Sequence, residues 1–510
     1  MWQHEDRFLA QNPVFPKKRD IDSFTQVLEM KKKSLAKNSI FNVAYKGLTA
    51  LFPLVTTSYI SYVLLPQGVG KVSYANTIVS YFILIASLGL PSYGVKAIAQ
   101  NNNSKEQRSK TFFELFLINF LATVCCIFAY YLFVNYFPHF ADRTELFNIM
   151  GLMLILNIFN IDWFYQGMEE YAYIATRSLV VKILSFVAML IFVRNQGDYL
   201  IYALILCIAT AGNNLLNAFQ LRKYVAFPKE KLALSPHMRP VFILLMSTIA
   251  TEIYTMLDTV MLEYFHGDIY VGYYSNPVKI VRMTYTVVIA LVAVFYPRIS
   301  MHYKEREYDV CNELLSRGTK ILLLLALPCT VGLFSVAEYI VPLLFGEAFL
   351  PSVSTLRILS ILVLVFSIAY FLGHVVLTAT GMERMILMAT VTGAVVNTVA
   401  NLMLIPNYCQ DGAAIASVIS EVAVTIILLW HSRKFFRLKI GKNYIFSIMF
   451  SLVTMTEAVY GLKKFLGEGI ERVAILIAAA VVVYFGSLLL CRNELLMELW
   501  KKIKNREKHF

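Results

Sequence analysis

Charge is scarce in this sequence. Asp, Glu, Lys and Arg make up 15% of its 510 residues, where a soluble chain carries about 25%. Long polar stretches are scarce as well. Between residues 39 and 491 no connection is long enough to hold a soluble domain, which argues against a large catalytic module of the kind that membrane glycosyltransferases, polymerases and ligases carry on outer loops. The seven cysteines, at 125, 126, 207, 311, 329, 409 and 491, show neither C-x-x-C nor Cys/His spacing, so neither a disulfide framework nor a zinc site is indicated. A phosphate-binding glycine loop and a nucleophile elbow are both missing, which excludes an ATPase within the chain. The expectation is a protein that is not an enzyme and needs no cofactor.

What is present is hydrocarbon. Hydrophobic residues account for 58% of the chain, with 36 Phe and 30 Tyr among them. Fourteen apolar segments follow one another, each long enough to cross a core of about 30 Å as a helix. The predicted fold class is therefore an all-α polytopic membrane protein with about fourteen transmembrane helices. Residues 1–30 have no apolar core and are not a signal peptide. They are expected to be a disordered tail or an over-long start before Met30.

The net charge of +13 is explained by where the cations fall. KKK at 31–33, SKEQRSK at 104–110, the 222–239 loop, HSRKFFRLKIGK at 431–442 and KKIKNREK at 501–508 all lie on one side of an alternating topology. The opposite connections carry only Lys71, Arg143, Arg194, Lys463, Lys464 and Arg472. The positive-inside rule then puts both termini in the cytoplasm. The basic skirt faces anionic lipid, and no nucleic acid partner is expected.

Cations inside the apolar segments need individual explanation, because a charge at mid-bilayer costs about 2.5–3.5 kcal/mol on insertion scales. Lys96 and Lys182 lie near cytoplasmic ends and Arg357 near an outer end, within snorkelling reach of water. Lys46 is about seven residues into the first segment, roughly 10 Å deep. Arg282 lies near the midplane, with Lys279 at i−3 on the same face. Two cations on one stripe imply a water-filled cavity or paired acids. Glu252 and Asp258, in ATEIYTMLDTVML, are the candidates for ion coupling or charge pairing; by depth Glu252 matches Arg282 and Asp258 matches Lys279. Asp162, in NIDWFYQG, is a candidate interfacial contact together with Lys96. No metal-ligating or catalytic set stands out.

A weak repeat accompanies these features. LLPQGVGKVSYANTIV at 64–79 is echoed by YFHGDIYVGYYSNPVKIV at 264–281, with V-x-Y at 72–74 and again at 271–273. The expected organisation is two six-helix lobes, 31–225 and 226–440, related by pseudo-two-fold symmetry. Helices 13 and 14 would occupy 441–492, and a basic cytoplasmic tail 493–510.

Several stretches carry a family resemblance. MKKKSLAKNSIFNVAYKGLTALFPLV from Met30, LLPQGVGKVSYANTIVSYF, LGLPSYGVKAIAQ, DTVML at 258–262 and GYYSNPVKIV at 272–281 are similar to bacterial polysaccharide-biosynthesis flippases. These are the Wzx-type exporters of the multidrug/oligosaccharidyl-lipid/polysaccharide (MOP) superfamily. The resemblance implies V-shaped lobes, a central cationic cavity, alternating access, and a substrate of oligosaccharide on undecaprenyl diphosphate. It also implies the bacterial cytoplasmic membrane as location, and as partners the bilayer and the polymerase and chain-length proteins of the same pathway. Under it, Lys46 matches a first-span basic residue found after a similar Ser-Leu-Ala start in peptidoglycan-precursor flippases. Lys279 or Arg282 would fill a recurrent basic position in span eight, and Lys96 stands where the family commonly has arginine. A cation-coupled multidrug or metabolite antiporter and a peptidoglycan-precursor lipid flippase are the alternatives within the superfamily.

Overall fold

The computed structural model describes the backbone of residues 18–102, 104–228, 230–435, 440–465 and 469–498. Side chains are described from Phe52 onward, apart from Ser247, Ala250, Thr251, Ile253, Tyr254, Thr255 and Ile470. The expectations for the first 17 residues and for the Lys46 side chain lie outside the described residues.

Among the described residues there are only helices. Eleven stretches are long and apolar enough to cross a membrane. Two of them, Phe52–Gln100 with 49 residues and Glu383–Ser432 with 50, would be more than 70 Å long if straight, about twice what a bilayer core accommodates. Each doubles back. The first turns at Leu65, whose φ is 56°, just before Pro66. The second turns at Cys409, with φ 50°. Asn401 and Ser417, eight residues to either side of Cys409, both contact Asp258, as a reversal requires. With Ser235–His266, these stretches make fourteen crossings.

The helices are α1 (Lys18–Ser87), α2 (Leu90–Gln100), α3 (Lys105–Tyr136), α4 (Thr144–Leu156), α5 (Asp162–Gly167) and α6 (Tyr171–Phe192). Next come α7 (Tyr199–Cys207), α8 (Asn213–Tyr224), α9 (Ser235–His266), α10 (Asp268–Val292) and α11 (Phe295–Lys304). The chain ends with α12 (Tyr308–Phe345), α13 (Ser352–Tyr370), α14 (Glu383–Ser432), α15 (Lys442–Leu462) and α16 (Ile470–Leu490). The connections alternate between a basic face, which carries the 225–234 loop, and an opposite face at Leu65, 137–143, Gly267 and Cys409.

Spans two and eight are both interrupted on their way to the basic face. Span two breaks at Leu88–Gly89, where Gly89 has φ 72° and a Cβ would fall 2.8 Å from the Leu245 nitrogen. Span eight breaks between Val292 and Phe295, so α2 and α11 are equivalent short helices. The repeated sequences meet at the opposite face. A Cβ on Gly70 would lie 1.7 Å from the Asp268 carbonyl oxygen, and one on Gly272 would lie 2.1 Å from that of Pro66. Only glycine permits backbones this close. Just inside, Ser73 and Ser275 hydroxyls are 3.3 Å apart, and Asn276 donates to Ser61 at 2.7 Å.

Ion pairs reinforce both faces. At the opposite face Arg143 reaches Glu263 at 2.8 Å and Asp268 at 2.9 Å, and His139 contacts Glu263 at 2.8 Å. At the basic face His237 bridges Glu114 at 2.9 Å and the Tyr93 hydroxyl at 2.8 Å. Helices α15 and α16 pair with each other and lie on α12, where Tyr444 and Tyr484 donate to the Lys320 and Leu324 carbonyls.

The opposite-face network yields a stability prediction. Glu263 is 3% and Asp268 8% exposed, so Arg143→Ala leaves buried carboxylates short of a cation at a cost of about 3–5 kcal/mol. We expect a lowered melting temperature in detergent, partly restored by adding Glu263→Gln. An unchanged melting temperature for Arg143→Ala would show that water already compensates these acids.

Candidate functional site

A cavity of about 490 Å³ lies between the first six crossings and the next six. One wall comes from both arms of α1, with Thr56 and Thr57 before the turn and Ser73, Asn76, Thr77 and Ser80 after it. Lys182 of α6 and Tyr202 and Thr210 of the sixth crossing complete that wall. The other wall is α9 and α10. Ser275, Lys279 and Arg282 recur at i, i+4 and i+7, one stripe of α10, and all three line the cavity. Its described lining thus holds three cations, several hydroxyls and no carboxylate.

Burial ranks these cations. Lys182 and Lys279 are half-buried and Arg282 is exposed, although all three lie on membrane-spanning helices. An exposed guanidinium near mid-membrane faces water in a cavity. Lys182 was expected to snorkel from its helix end, and instead it faces the cavity. Its position was legible in the sequence, since Ser178, Lys182 and Ser185 form an i, i+4, i+7 polar stripe in an otherwise apolar segment.

Behind α10 lies a second void of about 80 Å³. Tyr274, Val278, Val281, Arg282 and Tyr285 present a neighbouring stripe of the same helix to it, and Asp258, Ser417 and Glu421 face them. Arg282 stands where the two stripes meet and lines both cavities. Tyr285 stacks on Phe366 with ring centroids 4.4 Å apart.

Asp258 is 2% exposed. It accepts hydrogen bonds from Tyr274 Oη at 2.5 Å, Ser417 Oγ at 2.6 Å and Asn401 Nδ2 at 2.6 Å. Asn401 Nδ2 also donates to Asn397 Oδ1 at 3.0 Å, while the buried Asn401 Oδ1 meets no donor among the described residues. Asp258 and Lys279 match in depth, but the contacts of the carboxylate lie elsewhere. Hydroxyls and an amide hold this carboxylate, and the cation sharing its void is Arg282. Glu252 lies within electrostatic reach of Tyr285, as does Glu421.

Other sequence candidates sit apart from the cavity. Lys96 is exposed on α2 near the basic face. Asp162, half-buried, is held by Arg177 at 2.7 Å and Asn217 at 2.9 Å. Arg177, 5% exposed, was not singled out from sequence, because only the folded chain brings α5 and α6 together. Arg357 does not snorkel alone. It pairs with Glu338 at 2.8 Å, and Lys463 binds the other oxygen of that carboxylate at 2.7 Å.

Comparison with known proteins places this geometry in context. The profile of the polysaccharide biosynthesis protein family matches residues 35–303, and the MatE profile matches residues 244–403. A protein of Shigella dysenteriae named as an O-antigen transporter is 19% identical over 400 residues, which are 78% of this chain and 99% of that protein. The capsular polysaccharide biosynthesis protein CapF of Staphylococcus aureus is 21% identical over 379 residues, 73% of this chain and 92% of its own. Among solved structures, lipid II flippase MurJ in an inward closed conformation superposes with a TM-score of 0.71. That match covers 90% of this chain and 99% of MurJ at 15% identity, a likeness of fold.

The Asp258 cluster makes its own prediction. Asp258→Ala takes the acceptor from Tyr274, Asn401 and Ser417, of which the first two are buried, at about 1–3 kcal/mol for each buried donor left unpaired, so its melting temperature in detergent should fall sharply. Asp258→Asn keeps one carbonyl acceptor and should fall less. Equal losses from the two changes would mean that the charge, and not the acceptors, holds the cluster.

Proposed function

Because this chain belongs to the polysaccharide biosynthesis protein family, we propose that it is a flippase for lipid-linked oligosaccharide repeat units in bacterial surface polysaccharide assembly. The observation that carries this reading is the cavity lined by Lys182, Lys279 and Arg282, with hydroxyls and no described carboxylate. A polyprenyl diphosphate is a compact dianion. Lys and Arg bind it through charge-assisted hydrogen bonds, which are stronger in a cavity poor in bulk water. Arg282 presents a two-pronged donor, whereas the lysines act as point charges. The hydroxyls and Asn76 suit sugar hydroxyls, and the polyprenyl tail stays in the bilayer between the halves.

Both termini are assigned to the cytoplasm, so the basic face receives the substrate, with Lys46 meeting the head group first. Alternating access then requires the contacts at the two faces to open in turn. Asp258 is assigned as the coupling acid. Its buried carboxylate, near the Asn401 oxygen that meets no donor among the described residues, suits a cation or proton whose presence changes the charge beside Arg282. A cation-coupled antiporter is the second reading, favoured by the MatE match over 244–403. A three-cation cavity disfavours cationic drugs.

The test is export in cells that lack their own exporter. Arg282→Ala should abolish surface polymer at unchanged protein level, and Arg282→Lys should retain part of it. If Arg282 only fixes helix register against Glu252, then Arg282→Ala should destabilise the protein, and adding Glu252→Gln should restore both level and export. Rescue of export by that double change would overturn the substrate role.

A further inference from the structure

A third void lies within the second six crossings and is not needed by a substrate in the central cavity. Its volume is about 290 Å³, and it is bounded by α13, the π-helical turn Phe371–Leu377 and α14. Much of its wall is aliphatic, from Ala369, Ile386, Val424 and Leu428. Its lining also includes His374, Thr378, Glu383, Thr390 and Glu421. Glu383 is exposed at the start of α14, beside the exposed Gly381 of the basic face. Glu421 is 4% exposed and lies at the far end.

Glu421 and Phe366 also line the 80 Å³ void that contains Asp258 and Arg282. The two voids are therefore neighbours that share a wall, and a buried carboxylate forms part of it. Polar groups lead from one side to the other: Glu383 and His374 near the basic face, Thr390 and Glu421 in the middle, then Ser417 and Asp258. A void lined by carboxylates, an imidazole and hydroxyls inside a membrane-spanning bundle is a place for water. At about 30 Å³ per water, the smaller void of about 80 Å³ has room for roughly two to three waters.

The π-helical turn contributes to the opening. Such turns insert a residue into a helix and are frequent at functional sites. Here the turn carries His374, whose ring lies 4.8 Å from that of Tyr370, and the Thr378 hydroxyl donates to the Gly373 carbonyl at 3.2 Å.

We propose that this void is a proton passage from the basic face, with Glu421 as the group that carries the proton between the two compartments. It rests on the flippase reading in which Asp258 is the coupling acid. Hydronium entering past Glu383 and His374 gives its proton to a Glu421 oxygen, an O–H bond forming there as one breaks on hydronium. The carboxyl then releases the proton to water on the Asp258 side. A closed wall made by a carboxylate suits a proton, which crosses by hydrogen-bond exchange, and not a metal ion, which must pass through whole.

The charges that bear on Glu421 come from every helix around it. Asp258 and Glu252 stand on α9, and Tyr274, Arg282 and Tyr285 on α10. Tyr370 and His374 lie on α13 and its π-helical continuation, and Glu383 lies on α14 itself. Protonating Glu421 and Asp258 removes negative charge from beside Arg282 and leaves its guanidinium to the substrate's phosphate. Tyr274, Val278 and Arg282 line both compartments, and Arg282 is the cation among them.

The test uses the full chain in vesicles with the pH of each side clamped. Dicyclohexylcarbodiimide modifies protonated carboxyls, and its attachment to Glu421 is read by mass spectrometry. Modification should rise with acidity on the basic face, by up to about tenfold per pH unit where Glu421 is mostly ionised, and should ignore the opposite side. Thr390→Cys, in a cysteine-free background, should react with a membrane-impermeant thiosulfonate from the basic face, and that adduct should slow the Glu421 reaction. Absent modification, or modification that follows the opposite-side pH, overturns the passage even if Arg282→Ala still stops export. If Arg282→Ala exports normally while Glu421 follows basic-side pH, the passage stands and the substrate reading falls.

Discussion

The cost of an ion in hydrocarbon governs this structure more than any single packing contact. About 2.5–3.5 kcal/mol per mid-bilayer charge is a large share of a stability of only 5–15 kcal/mol, so each charged side chain on a crossing helix needs a partner or water. Two outcomes follow. Arg177 with Asp162, and Arg357 and Lys463 with Glu338, form pairs that fasten helices together. Lys182, Lys279 and Arg282 line a cavity. The pairs are scaffold, and the cavity cations are the ones available to a ligand.

Helix α10 connects these requirements. Its first turns hold Gly272 against the Pro66 carbonyl at the opposite face. Its middle turns give one stripe to the central cavity and the next to the void at Asp258. A helix fixed at one end by backbone contact can hold two stripes in register with two compartments. Replacing Gly272 by any larger residue would shift both stripes together, which explains how a glycine with no side chain bears on a site several turns away.

Much of this was legible in the sequence. Fourteen crossings follow from apolar length, because the span of a bilayer core is a hard constraint, and the V-x-Y echo marks the stretches that meet at the opposite face. Depth along a helix was legible but azimuth was not. Asp258 and Lys279 match in depth, yet Asp258 faces the hydroxyls of Tyr274 and Ser417 and the amide of Asn401. The last two lie more than 140 residues away in sequence, and nothing local announces them. The π-helical turn at 371–377 had no such mark in the sequence either, whereas the break at Leu88–Gly89 had a local one in Pro91, which opens α2.

Arg282 gives these separate facts one physical consequence. A guanidinium has five donors in a plane, enough to address a phosphate on one side while feeling carboxylates on the other. It lines the central cavity together with Lys182 and Lys279, and the smaller void together with Asp258 and Glu421. Negative charge in the smaller void draws on the same guanidinium that a substrate anion needs. Neutralising that charge strengthens Arg282 as a substrate ligand, and binding the anion in turn makes the acids easier to protonate in a linked equilibrium. Coupling between an ion and a much larger cargo thus requires no relay of moving parts between distant sites, only one cation placed in the wall that two compartments share.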